Sequence, residues 1–80
     1  KKVTFTPAGL REWRKLPEDA KHRIQSRMNA FAEGDGVGDI KRLQGRDGMR
    51  LRVGDWRVVF ITDADTITIT AVGHRREIYD

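Results

Sequence analysis

Three arginines alternate with apolar residues on either side of one glycine, in Arg50-Leu51-Arg52-Val53-Gly54-Asp55-Trp56-Arg57-Val58. A second basic cluster follows near the end of the chain, His74-Arg75-Arg76, with Glu77 and Tyr79 beside it. A guanidinium presents a rigid fork of donors that matches phosphate oxygens two at a time. It is a poor base, because its pKa exceeds about 12. Proton transfer near these arginines therefore falls to His74, Glu77 and Tyr79. The set suits holding a phosphate ester and stabilising added negative charge on it.

Other chemistries find little support. The chain has two histidines, His22 and His74, and no cysteine, and no helical His/Glu pair stands at metal-ligand spacing. His22 lies among helix charges and reads as a surface residue. The glycines at 34, 36 and 38 lack the strand–loop–helix setting and the Gly-Lys-Ser/Thr ending of a phosphate loop. Ser26 is the only serine and sits mid-helix. Neither a metal nor a small-molecule cofactor is expected. Metal-free RNA cleavage fits what remains, because the 2′-hydroxyl is an internal nucleophile beside the scissile phosphate. An enzyme then needs to align it, stabilise the phosphorane charge and move protons.

The elements that must hold these side chains follow from pattern. Val3-Thr4-Phe5 reads as a short first strand. Thr6-Pro7 marks a helix start: a hydroxyl N-cap, then a proline where a missing N–H costs nothing. Leu10 and Trp13 give the helix over Ala8 to Lys15 one apolar stripe. Leu16-Pro17 breaks it, since the residue before proline avoids the helical region. A second helix begins at Pro17-Glu18-Asp19, its acids near the positive end of the dipole. It buries Ala20, Ile24, Met28 and Phe31 and ends at Glu33-Gly34-Asp35-Gly36. Residues 34–48 read as a long polar loop pinned by Ile40 and Leu43. From Met49 the period becomes two, and Met49 to Val53, Trp56 to Ile61 and Thr66 to Val72 read as a meander. The expected fold is α+β in the order β-α-α-β-β-β, with a two-helix hairpin on one face of a small, mostly antiparallel sheet.

Gly54-Asp55 is a two-residue turn with glycine first, as a type II′ hairpin prefers. It sets Val53 opposite Trp56, Arg52 opposite Arg57, Leu51 opposite Val58 and Met49 opposite Phe60. A slip of one residue would mix the two faces, so this register is well specified. A second turn at Asp63-Ala64 sets Phe60 against Ile67, Val58 against Ile69 and Arg57 against Thr70. Its parity carries His74, and Arg76 rather than Arg75, onto the arginine face; a bend after Gly73 reverses that assignment. The expected open face bears Arg50, Arg52, Arg57, Thr68, Thr70 and His74. Solvated charge is ordinary on such a face. Arg52 directly opposite Arg57 is not, because like charges so placed destabilise a sheet. With Asp55 at the turn, no acid is expected on the face to relieve them, and the cluster points to an anionic ligand. Trp13 and Trp56 share faces with Leu10 and with Val58 and Phe60, so they are expected in the core and not as base-stacking platforms.

Eighty residues make one domain, 1–80, with a single core. Hydrophobic residues are 38% of the chain and charged residues 35%, with a formal net charge of +4. That balance suits a polar globule with an anionic partner, although charge alone is a weak guide. The lack of cysteine fits a cytoplasmic setting better than a secreted one. No apolar run reaches membrane-spanning length and no signal-peptide pattern opens the chain, so no membrane partner is expected.

The stretches Leu43-Gln44-Gly45, Arg50 to Phe60 and Val72-Gly73-His74-Arg75-Arg76-Glu77-Ile78-Tyr79 resemble the RelE/ParE toxin superfamily. So do the opening Phe5-Thr6-Pro7-Ala8 and Trp13-Arg14-Lys15-Leu16-Pro17, so the match spans nearly the whole chain in order. The resemblance implies a bacterial type II toxin, a ribosome-dependent mRNA endonuclease held inactive by a cognate antitoxin. Its partners would be that antitoxin, the ribosome and mRNA. It implies catalytic roles for Arg50, Arg52, Arg57, Arg75 and Tyr79, to which the parity argument adds His74. RNA contacts would come from Arg50, Arg52, Arg57, Arg75 and Arg76. Positions 50 and 52 carry arginine where the best-known members have lysine, which removes a possible proton shuttle. The alternatives are a ParE-like inhibitor of DNA gyrase without nuclease activity and a non-catalytic RNA-binding module. Retention of Arg57, Arg75 and Tyr79 favours the RelE branch. An inhibitory partner is expected to lay a helix across the helical hairpin, near Lys21, Arg23 and Arg27, or to add a strand to the sheet.

Overall fold

The computed structural model describes residues 1–34, 39–45 and 47–78. Thr6 caps the first helix, its Oγ1 accepting from the Gly9 N–H at 3.0 Å, and Pro7 takes the first helical position of α1 (Pro7–Arg14). Pro17 precedes α2 (Glu18–Ala32), whose Ala20, Ile24 and Met28 are buried. Phe31, the last residue of that stripe, meets Phe60 edge-on with ring centroids 5.5 Å apart. Both helical expectations are met, because each rests on local chemistry: a cap, a proline and a 3.6-residue stripe.

Five strands form one sheet: β1 (Lys2–Phe5), β2 (Ile40–Arg42), β3 (Met49–Val53), β4 (Trp56–Thr62) and β5 (Thr66–His74). Their spatial order is β1-β5-β4-β3-β2, with β1 parallel to β5 and every other pair antiparallel. The expected order lacked β2, which lies in the stretch read as a loop. Ile40 and Leu43 do anchor that stretch, Leu43 in the interior and Ile40 against the main core. Residues 35–38 and 46 of the same stretch lie outside the described residues.

The core lies between α2 and one sheet face, where Ile24 and Met28 meet Leu51, Val58, Phe60, Ile67 and Ile69. Trp13 and Trp56 are half-buried and pack against it, as their spacing predicts. Trp13 lies 5.4 Å from the Phe5 ring. With both helices on one side, the opposite face of the sheet is left for the arginines.

Candidate functional site

The β3–β4 hairpin has the register that its alternation requires: Met49 opposite Phe60, Leu51 opposite Val58, Arg52 opposite Arg57 and Val53 opposite Trp56. Gly54 has φ +59° and no described non-glycine residue has a positive φ, which is the pattern of a type II′ turn. Side chains alternate across a strand, so Arg50, Arg52 and Arg57 share the face away from the helices. Lys41 of β2, opposite Arg50, adds a fourth cation to it. Apolar residues also stand on this face, among them Val59, which is buried, and Ile61, which is 43% exposed.

Arg57 is held by main-chain acceptors of its own hairpin. Its Nη1 donates to the carbonyls of Gly54 and Trp56, each at 3.0 Å, which ties the guanidinium to the hairpin turn. Desolvation, followed by the charges of Arg50, Arg52 and Arg75, lowers its pKa from the usual arginine value, while Asp55 acts the other way. Arginine starts so high that the group stays cationic at neutral pH. The four arginines thus form one electrostatic cluster around Arg57, and a bound phosphate would relieve their mutual repulsion.

The cluster is not without acids, contrary to the sequence-based expectation. Asp39, in the stretch before β2, accepts from Arg52 Nη2 at 3.1 Å, and its carbonyl accepts the Arg52 N–H at 3.0 Å. Asp55 lies 3.6 Å from Arg75 Nε. Both ion pairs are about half exposed, where such contacts contribute little to stability. Asp39 escaped the sequence reading because its pairing depends on β2, which has too few residues to show a period.

The β4–β5 register departs from expectation. Phe60 faces Ile69 in place of Ile67, because the turn sits one residue further along the chain, at Ala64-Asp65, with the Asp63 N–H donating to the Thr66 carbonyl at 3.0 Å and Thr62 opposite Ile67. Val59 then faces Ala71, leaving Thr70 unopposed as a bulge; Val58 faces Val72, Arg57 faces Gly73 and Trp56 faces His74. One extra residue reverses the parity of everything after it. His74 therefore does not join the arginine face. It lies against Trp56 with ring centroids 5.5 Å apart, and its Nδ1 accepts the Arg76 N–H at 3.2 Å.

Arg75 follows next, its N–H donating to the Asp55 carbonyl at 2.8 Å, and its charge is felt at Arg57. The parity preference for His74 and Arg76 over Arg75 is thereby reversed. Arg76 and Glu77 lie exposed in the turn that follows. The Glu77 and Ile78 N–H groups return to the His74 carbonyl, at 2.8 and 3.2 Å. This turn brings Ile78 over Gly73, where a Cβ would stand 3.2 Å from Ile78 Cδ1. Tyr79 lies outside the described residues. The structure thus brings together Arg50, Arg52, Arg57 and Arg75, and separates His74 from them.

A two-helix hairpin over a five-stranded sheet, with this arginine-bearing open face, defines a RelE-like toxin fold. The sequence matches the family model of the ParE toxin of type II toxin–antitoxin systems (parDE) over residues 3–79, and the chain belongs to that family. Toxin RelE3 of Methanocaldococcus jannaschii is 31% identical over 84 residues, covering 99% of this chain and 96% of the relative. The RelB–RelE antitoxin–toxin complex from Methanococcus jannaschii has a TM-score of 0.78 at 27% identity, over 98% of this chain and 96% of that one. The isolated E. coli RelE toxin shares the fold, with a TM-score of 0.75 and 20% identity over 91% of this chain and 82% of that one.

Proposed function

We propose that this RelE homologue is a ribosome-dependent mRNA endonuclease that acts without a metal and is held inactive by a cognate antitoxin. The observation that carries the reading is the cluster of Arg50, Arg52 and Arg57 on two neighbouring strands, with Arg75 paired to Asp55 at the same hairpin turn. In the proposed reaction the 2′-oxygen bonds to the adjacent phosphorus and the bond to the 5′-oxygen breaks. The products are a cyclic phosphate and a free 5′-hydroxyl. A base takes the 2′-proton and an acid returns one to the leaving oxygen. Arg57 stabilises the phosphorane, helped by Arg75, while Arg50 and Arg52 hold the backbone phosphates. With His74 turned toward Trp56, proton transfer is assigned to Tyr79, to Glu77 or to a group of the ribosome.

The partner reading rests on the antitoxin-bound neighbours and on a groove of about 520 Å³ beside edge strand β1, lined by Val3, Phe5, Trp13, Ile24, Met28 and Ile69. Of the helix cations, Lys21 is engaged with Glu18 at 3.4 Å, and Arg23 reaches over the Gly54 turn. An amphipathic antitoxin segment would therefore bind chiefly through apolar contacts. Gyrase inhibition is the second reading, favoured by the ParE name of the family model.

Single-turnover cleavage of a reporter mRNA on saturating ribosomes, read by primer extension, tests the proposal. Arg57→Ala should slow cleavage by about a hundred-fold or more, as for loss of one transition-state donor, with the fold intact. Unchanged cleavage would remove Arg57 from the mechanism. Stalled gyrase with intact mRNA would establish the second reading, and absence of both effects a non-catalytic binding module.

A further inference from the structure

Strand β1 ends at Phe5, opposite Ile69, and the Thr6 N–H donates to the Ile69 carbonyl at 2.9 Å. Strand β5 continues to His74, and among the described residues no strand pairs with it on that side beyond Ile69. Its outward main-chain donors need another acceptor. Helix α1 supplies one: Glu12 Oε1 accepts the Val72 N–H at 2.9 Å, across 60 residues of sequence. The helix can do this because Gly9, one turn earlier, lets its backbone approach the Ile69 carbonyl closely.

The identity of that donor matters. Outward-pointing residues alternate along a strand, so an unbroken ladder running through Ile69 would present Ala71. The unopposed Thr70 shifts the set by one and presents Val72. Glu12 therefore engages a donor that only the bulged register offers. That same register puts Gly73 opposite Arg57 and carries Arg75 alongside Asp55. Without the bulge, His74 would take the arginine face and Arg75 would leave it.

We propose that Glu12 is a positioning residue: by accepting the Val72 amide proton it holds the bulge at Thr70, and so sets Arg75 and the C-terminal turn against Arg57. Its effect on RNA cleavage rests on the function proposed above; its effect on register does not.

The test is NMR on the isotopically labelled 80-residue chain, beside ribosome-dependent cleavage. Three variants separate the possibilities. Glu12→Ala removes the acceptor, Glu12→Asp keeps the charge one methylene short, and Glu12→Gln keeps an oxygen acceptor at full reach. In Glu12→Ala and Glu12→Asp, Val72 amide exchange should quicken by roughly ten-fold, as expected for one net hydrogen bond. The Val58–Val72 cross-strand contact should weaken in favour of Val58–Ala71, and the Gly73–Ile78 contact should fade. Cleavage kcat should fall by a similar factor with KM for ribosomal complexes unchanged, and Glu12→Gln should restore each property. Should Glu12→Ala not fold, Glu12→Asp carries the same expectations. Wild-type cross-strand contacts in a folded variant lacking the acceptor would overturn the proposal. A register shift as expected, in a protein that cuts no RNA even as wild type, would uphold the positioning role and refute the nuclease reading.

Discussion

Substituting Gly9 by alanine tests the close approach of α1 to β5. Gly9 is buried, and a Cβ there would stand 3.1 Å from the Ile69 carbonyl carbon, closer still to its oxygen, and 3.3 Å from Thr6 Oγ1. The obstacle is backbone, and the Ile69 oxygen is already held by the Thr6 N–H at 2.9 Å, so it cannot swing aside cheaply. Overpacking of this kind costs roughly 1–3 kcal/mol. Disturbing the Thr6 cap adds about 1 kcal/mol, while the better helix propensity of alanine returns about 0.8–1.0 kcal/mol. The net loss is therefore about 1–3 kcal/mol, the cap and propensity contributions nearly cancelling. For a chain of this size each kcal/mol lowers Tm by about 4–8 °C. Gly9→Ala should thus melt at least about 4 °C below wild type by circular dichroism. Ala8→Gly, at an exposed position of the same turn, serves as a control that changes propensity alone. A Gly9→Ala protein melting at or above wild type would refute the geometry, and with it the path by which Glu12 reaches Val72.

Two charge changes give further tests. Asp39→Ala releases Arg52 from its half-exposed ion pair, so stability should fall by less than about 1 kcal/mol. Affinity for a single-stranded RNA should rise at low salt with a steeper salt dependence; an unchanged slope in fluorescence anisotropy would show that Arg52 does not meet phosphate. Asp63 accepts N–H groups from Asp65 at 2.9 Å and Thr66 at 2.8 Å, and these bonds hold its carboxyl below the usual aspartate value. A depressed folded pKa stabilises fully above the unfolded value, and that contribution is lost as pH falls through the folded one. Asp63→Ala should therefore melt lower than wild type near neutral pH and converge with it in acid. A gap constant across pH would mean the carboxylate charge is not involved.

Features made by residues close in the chain could be read without the structure. The Thr6-Pro7 cap, the break at Leu16-Pro17 and the stripe Ala20, Ile24, Met28 each depend on residues within a few positions of one another. The β3–β4 hairpin was equally legible: Gly54 sets the turn, and a slip of one residue would mix leucine, valine and phenylalanine with arginine. That hairpin alone places Arg50, Arg52 and Arg57 on one face. Other features depend on residues that meet only in the folded chain. Strand β2 is three residues long, too short to show a period, and exists because Ile40 finds Leu51 across the sheet. The parallel partner of β1 lies more than sixty residues away, and no local signal announces it. The choice between His74 and Arg75 for the arginine face turned on one unopposed residue, Thr70. Threonine suits either register, and both leave apolar side chains toward the core, so local propensity does not distinguish them. The distinction comes from where β1 stops and α1 begins, a contact between the two ends of the chain that exists only once the sheet is assembled.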